Sequence, residues 1–156
     1  MRVNEEPNVF IVILTSIDVI SQMVMSVTLP SNSVNRYGLT ELKLFIFGMG
    51  RTYAFIQSDD ESSIKAWINA SGKEVLGLRM RKASTGSHGS QGSVDRQLQT
   101  LFGAVRTTRL ALIERLGDSL DFIDVKHPIC PWIIKHSQWL LSICVIHTDG
   151  VTAYQR

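Results

Sequence analysis

Tyr53–Arg81 reads YAFIQSDDESSIKAWINASGKEVLGLRMR, and the periods within it decide the fold class. Tyr53–Ser58 reads as a short strand that delivers Asp59. Glu61–Ser71 reads as a helix, with Ile64, Trp67 and Ile68 on one side, and Gly72 is expected to close it. Val75–Arg81 then alternates: Leu76, Leu78 and Met80 on one face, Gly77, Arg79 and Arg81 on the other. That is the pattern of a half-buried strand. Strand, helix and strand in succession place the chain among α/β proteins.

Upstream, Val9–Ile17 is β-branched and almost continuously apolar, as in a strand buried on both faces. Met23–Leu29 reads as a second strand that Pro30 stops, so the two predict an antiparallel hairpin. Ser31–Gly38 is polar and reads as a loop. Thr40 is the expected N-cap of a helix over Glu41–Phe47, which Gly48 and Gly50 end. Downstream, Ala83–Gly89 is a Gly/Ser loop. Gln91–Leu116 is the longest expected helix, with Val94, Leu98, Leu101, Val105, Leu112 and Leu116 at helical spacing. A last helix is expected over Pro128–Ile146. The order is β-β-α-β-α-β-α-α, which implies a mixed sheet flanked by helices.

The chain has 156 residues, 44% of them apolar, which is ample for a core and excludes a disordered or fibrous chain. A net charge of +2 gives no global basic field. A nucleic-acid argument therefore has to come from local clustering. The two cysteines, Cys130 and Cys144, make no disulfide framework and suggest a reducing, intracellular setting. The longest apolar run, Trp132–Ile146, contains Lys135, His136, Ser137 and Gln138, and it falls short of the roughly 18 residues of a membrane span. His127, Cys130, Cys144 and His147 superficially spell a zinc site. The two pairs sit at opposite ends of the last helix, roughly 20 Å apart, too far to share one ion.

Two acids carry the chemical interest. Asp59 lies at a strand end, where open α/β sheets bind ligands, although the same place suits the cap of the following helix. Asp95 lies in the first turn of the long helix, where the macrodipole favours a carboxylate with or without a metal. Gln99, Phe102 and Arg106 follow it along one edge of that helix. Arg79, Arg81 and Lys82 precede the Gly/Ser loop, His88 lies within it, and Arg96, Arg106 and Arg109 follow. Phosphate contact and a solvated face both suit such a cluster.

Three stretches together resemble the integrase catalytic core of retrotransposon polyproteins. They are FIQSDDESSIKAW, SHGSQGSVDRQLQTLFGAVRTTRLALIERLG and HPICPWIIKHSQWLL with HTDGVTAYQR. The resemblance is strong from residue 53 onward and weak before it. It implies a ribonuclease H-like fold with residues 1–126 as the core and 127–156 as a C-terminal helix and tail. It also implies metal-dependent phosphodiester transfer that joins element DNA to target DNA. Asp59 matches the second acid of the family's triad and Asp95 the third, which is normally Glu, with 35 residues between them. By the same resemblance these acids would hold Mg²⁺ or Mn²⁺. Arg79, Arg81, Lys82, His88, Arg96, Gln99 and Arg106 would contact DNA, the cores would pair as homodimers, and a working protein would act in the nucleus. The family's first acid stands on an opening strand ahead of the hairpin. Here no Asp precedes Val9, so the opening strand is expected to be missing, the sheet to carry an exposed edge, and catalysis to be impaired. The alternative expectation is a non-catalytic nucleic-acid-binding or dimerising remnant.

Overall fold

The computed structural model describes residues 11–51, 53–58, 61–75, 77–82, 92–117 and 127–156. The elements follow the expected order: β1 (Val12–Ile17), β2 (Val24–Leu29), α1 (Arg36–Gly48), β3 (Ala54–Ser58), α2 (Ser62–Glu74), β4 (Leu78–Lys82), α3 (Gly92–Leu116) and α4 (Ile129–Cys144). A short 3-10 turn over Ala153–Gln155 follows.

β1 and β2 pair antiparallel, from Val12 opposite Leu29 to Ile17 opposite Val24. β3 and β4 pair parallel, from Ala54 beside Leu78 to Ser58 beside Lys82. Both kinds of pairing of a mixed sheet are present, divided between two two-stranded sheets. The two sheets supply one core. Val12 and Leu14 share a face with Met25, Val27 and Leu29, and that face packs with Leu42 and Ile46 of α1, Trp67 of α2, Val75, Ile56 and Leu78. The other face of the hairpin carries Thr15 and Ser26, whose hydroxyls lie 3.3 Å apart, and it meets α3 and α4.

Sequence reading takes the first strand as the one buried on both faces, and the structure reverses this. β1 is half-buried along its whole length, whereas β2 is buried at every position but one. The cause is position in the sheet. The Asp18 amide donates to the Met23 carbonyl at 2.9 Å, so the antiparallel alternation turns the N–H and C=O groups of Ile13, Thr15 and Ile17 to the outer edge of β1. Among the described residues no backbone group pairs with them. Among the described residues β1 is thus the outer strand of the hairpin, and its own sequence carries no charge and no proline.

α1 begins five residues earlier than the sequence suggests. Its N-cap is Asn35, whose Oδ1 accepts the Gly38 amide at 2.9 Å. Thr40 is an interior residue, and its hydroxyl donates back to the Arg36 carbonyl at 2.9 Å. The early start depends on Gly38, since a Cβ there would lie 2.5 Å from Cη2 of Trp67 and 2.9 Å from Cδ2 of Leu29. α2 continues past Gly72 to Glu74. A glycine inside a helix costs about 1 kcal/mol, but ending there would leave Val75 undocked, and Val75 is buried in the core. β4 accordingly starts at Leu78, after Gly77 turns the chain at a φ of 88°. Leu76 lies outside the described residues. α3 ends as expected at Gly117, whose φ is 72° and whose amide donates to the Ile113 carbonyl at 3.0 Å.

The hairpin turn is fixed by Asp18. Its Oδ2 accepts from the Ser21 amide at 2.8 Å and the Ser21 hydroxyl at 2.6 Å, and Arg51 approaches at 3.4 Å. Partial burial raises the pKa of this carboxyl, but the Ser21 hydrogen bonds and the Arg51 charge together carry it below its ordinary 3.8. A lowered folded-state pKa stabilises the fold above the ordinary value, and that contribution is lost as pH falls through 3.8 toward the folded value. Arg51 is over a third exposed, so solvent weakens its share. Asp18→Asn is expected to lower the urea midpoint at neutral pH, and the gap from wild type should close as the pH is taken below 3.8. A gap that stays constant with pH would show that the carboxylate charge plays no part.

Candidate nucleic-acid interface

Parallel pairing puts the carboxyl ends of β3 and β4 side by side, with Ser58 beside Lys82. In α/β sheets this is the end where ligands bind. Asp59 follows Ser58 directly in sequence, but Asp59 and His88 lie outside the described residues, as does the side chain of Lys82.

α3 carries the second group. Leu101, 1% exposed, anchors the buried side of the helix, and Thr108 reaches Ser137 of α4 with hydroxyl oxygens 3.3 Å apart. The side turned to solvent presents Asp95, Gln99, Phe102 and Arg106 at spacings of four, three and four residues, all exposed. Arg96 is exposed beside them. The Arg106 Nε donates to the Phe102 carbonyl at 3.3 Å, which holds the guanidinium along the helix surface. The stripe predicted from sequence is therefore real as a surface. It offers an acid at the helix amino end and two arginines further along.

Arg79 and Arg81 are exposed on β4, on the face opposite the partly buried Leu78. The two basic groups stand on different elements, Arg79 and Arg81 on β4 and Arg96 and Arg106 on α3.

The described residues do not make a metal centre by themselves. Among the described residues no three His, Cys, Asp or Glu side chains come together, and no hydrogen bond or ion pair engages Asp95. His127 and His147 lie beyond opposite ends of α4. His127 Nδ1 accepts the Ile129 amide at 3.2 Å, while the His147 amide donates to the Val151 carbonyl at 2.9 Å.

Sequence reading missed one grouping. Trp132 and Trp139 of α4 are each 52% exposed. His136 stacks between them, 4.6 Å from the first ring and 5.8 Å from the second. The signal was available in the spacing, since positions 132, 136 and 139 share a helix face.

The chain superposes on the catalytic core domain of HTLV-2 integrase, solved in complex with magnesium in a trimeric form. The TM-score is 0.66 at 12% identity, covering 93% of this chain and 83% of that one. On the catalytic core domain of BIV integrase the TM-score is 0.57 at 18% identity, covering 93% and 84%. The fold is that of an integrase catalytic core. No protein-family model and no curated protein matches the chain. The integrase-core fold agrees with the α/β, ribonuclease H-like class expected from the sequence. No helix among the described residues is long and apolar enough to cross a membrane.

Proposed function

We propose that the chain is an integrase-like core of retroelement origin that contacts DNA but is catalytically impaired. The observation that carries this is the integrase-core fold together with Asp at position 95, where the family it resembles has Glu. The chain supplies Asp59 and Asp95 in the family's spacing. Asp59 and Asp95 are the residues that would hold Mg²⁺ or Mn²⁺. Asp95 is also about one methylene shorter than the family's Glu, and a misplacement of about 1 Å can cost on the order of 10²-fold.

Labelled element-end DNA incubated with this chain and Mg²⁺ or Mn²⁺ is expected to give no strand transfer or nicking above background. Robust product that disappears in Asp59→Asn would show a working site and overturn the impaired reading. The DNA contacts rest on Arg96, Gln99 and Arg106 of α3 and Arg79 and Arg81 of β4, joined by Lys82 and His88. They serve retroelement ends and target DNA in the nucleus.

A homodimer through α1 and α4 has its own support. The Trp132–His136–Trp139 stack is exposed on α4. Lys135, between the two tryptophans in sequence, bonds Glu41 of α1 at 2.9 Å. Tyr37 and Leu44 share the Glu41 stripe of α1 and are 51% and 62% exposed. Exposed aromatic side chains on two helices joined by an ion pair have the composition of an interface centre. Sedimentation at micromolar concentration is expected to show a dimer, and Trp139→Glu should weaken it by at least about 30-fold. A wild-type chain that stays monomeric at high concentration would remove the dimer.

A further inference from the structure

The β3–β4 sheet has one face on the core and one face in solvent. Ile56 and Leu78 pack inward. Opposite them, Tyr53 and Phe55 are 71% and 63% exposed, and Gln57, Arg79 and Arg81 are exposed as well. The register puts Phe55 beside Arg79 and Gln57 beside Arg81. Register partners in a sheet stand on the same face, and so do alternate residues of one strand. Two aromatic rings and two guanidinium groups therefore share one small platform.

Among the described residues the charges on this platform are uncommitted. Arg51, Lys135 and Arg156 each hold a carboxylate. Among the described residues no ion pair engages Arg79 or Arg81. Large aromatic side chains on a strand are normally turned to the core, as the smaller Ile56 is here. Tyr53 and Phe55 instead occupy the solvent face in company with cations.

We propose that the face formed by Tyr53, Phe55, Gln57, Arg79 and Arg81 is a binding platform for single-stranded nucleic acid. Unpaired bases stack on the two rings, and the arginines neutralise the adjoining phosphates. Charge complementarity selects a polyanion. The rings select one whose bases are unstacked, because a duplex keeps its base faces covered and offers only edges and backbone. The Gln57 amide is placed to hydrogen-bond a base edge. A platform of this kind has little sequence preference, since every base has a π face. The inference deepens the nucleic-acid reading above and rests on it for the class of ligand. It stands on β3 and β4 and not on the α3 stripe.

The experiment measures fluorescence anisotropy of the full chain with three probes: a labelled twelve-nucleotide oligo(dT), the matching oligo(U), and a twelve-base-pair duplex. The single strands are expected to bind more tightly than the duplex. Phe55→Ala and Tyr53→Ala should each weaken single-strand binding by about tenfold and leave duplex binding unchanged. Both side chains are mostly exposed, and an unchanged thermal melt will show that the variants are folded. Arg96→Ala with Arg106→Ala on α3 separates the two readings. Loss of duplex binding alone in that variant supports both surfaces. Single-strand binding that depends on Phe55, with no duplex binding in any form of the protein, keeps the platform and removes the DNA contacts of α3. Aromatic variants that bind oligo(dT) and oligo(U) like wild type, or single strands that bind no better than the duplex, overturn the platform.

Discussion

Replacing Trp67 by alanine is expected to remove about 3–5 kcal/mol of stability. Net stabilities of single domains are about 5–15 kcal/mol. One side chain would then decide whether this chain is folded. Trp67 is 3% exposed and lies where α1, α2 and the hairpin meet. Gly38 of α1 has no Cβ because the indole occupies that space. The indole Nε1 donates to the Asn32 carbonyl at 3.1 Å and ties the loop before α1 to α2. Alanine would open a cavity bounded by both helices and release that loop. With a urea m-value of about 1–3 kcal/mol/M, the midpoint should fall by roughly 2 M. Trp132→Ala is the matched control, because Trp132 is 52% exposed and fills no part of the core. Equal effects of the two substitutions would contradict this account of the core.

The element order was legible from the sequence because each element carries a clear pattern. The nearly continuous β-branched runs Val9–Ile17 and Met23–Leu29, the second stopped by Pro30, gave the hairpin, and the spacing of Leu98, Leu101 and Val105 gave α3. Boundaries were less legible where a distant contact decides them. Nothing local distinguishes Asn35 from Thr40 as the start of α1. The choice falls to Asn35 because Gly38 can approach Trp67 and so permits one more turn. Gly72 looks like a stop, but the burial of Val75 carries α2 past it. β1 and β2 have nearly the same composition, and only the structure shows that β2 is the more deeply buried of the two. Of the candidate site, the α3 stripe was legible because a helix places residues four apart on one face whatever surrounds it. The place of Arg79 and Arg81 relative to that stripe was not, because it depends on how β4 and α3 are placed in three dimensions. Asp59 and His88 lie outside the described residues, so their places in the site rest on the sequence.

The second large effect concerns α3 and salt. Each phosphate neutralised by a cation contributes about 0.9 to the slope of log affinity against log salt on duplex DNA. Removing Arg96 and Arg106 together should therefore lower the slope by about 1.8. Between 50 and 200 mM salt, the wild type should lose about tenfold more affinity than the double alanine variant. Both side chains are exposed, and neither joins an ion pair among the described residues, so their removal should leave the fold intact. Reversal to glutamate should have a larger effect than alanine, because it adds repulsion beside Asp95, which already stands at the amino end of the same stripe. Gln99→Ala should weaken binding with little change in slope, since an uncharged amide releases no counterion. This contrast separates a DNA-contacting stripe from a merely solvated one. If the slope is the same for wild type, the double alanine variant and the charge reversal, the exposed arginines of α3 contact only water.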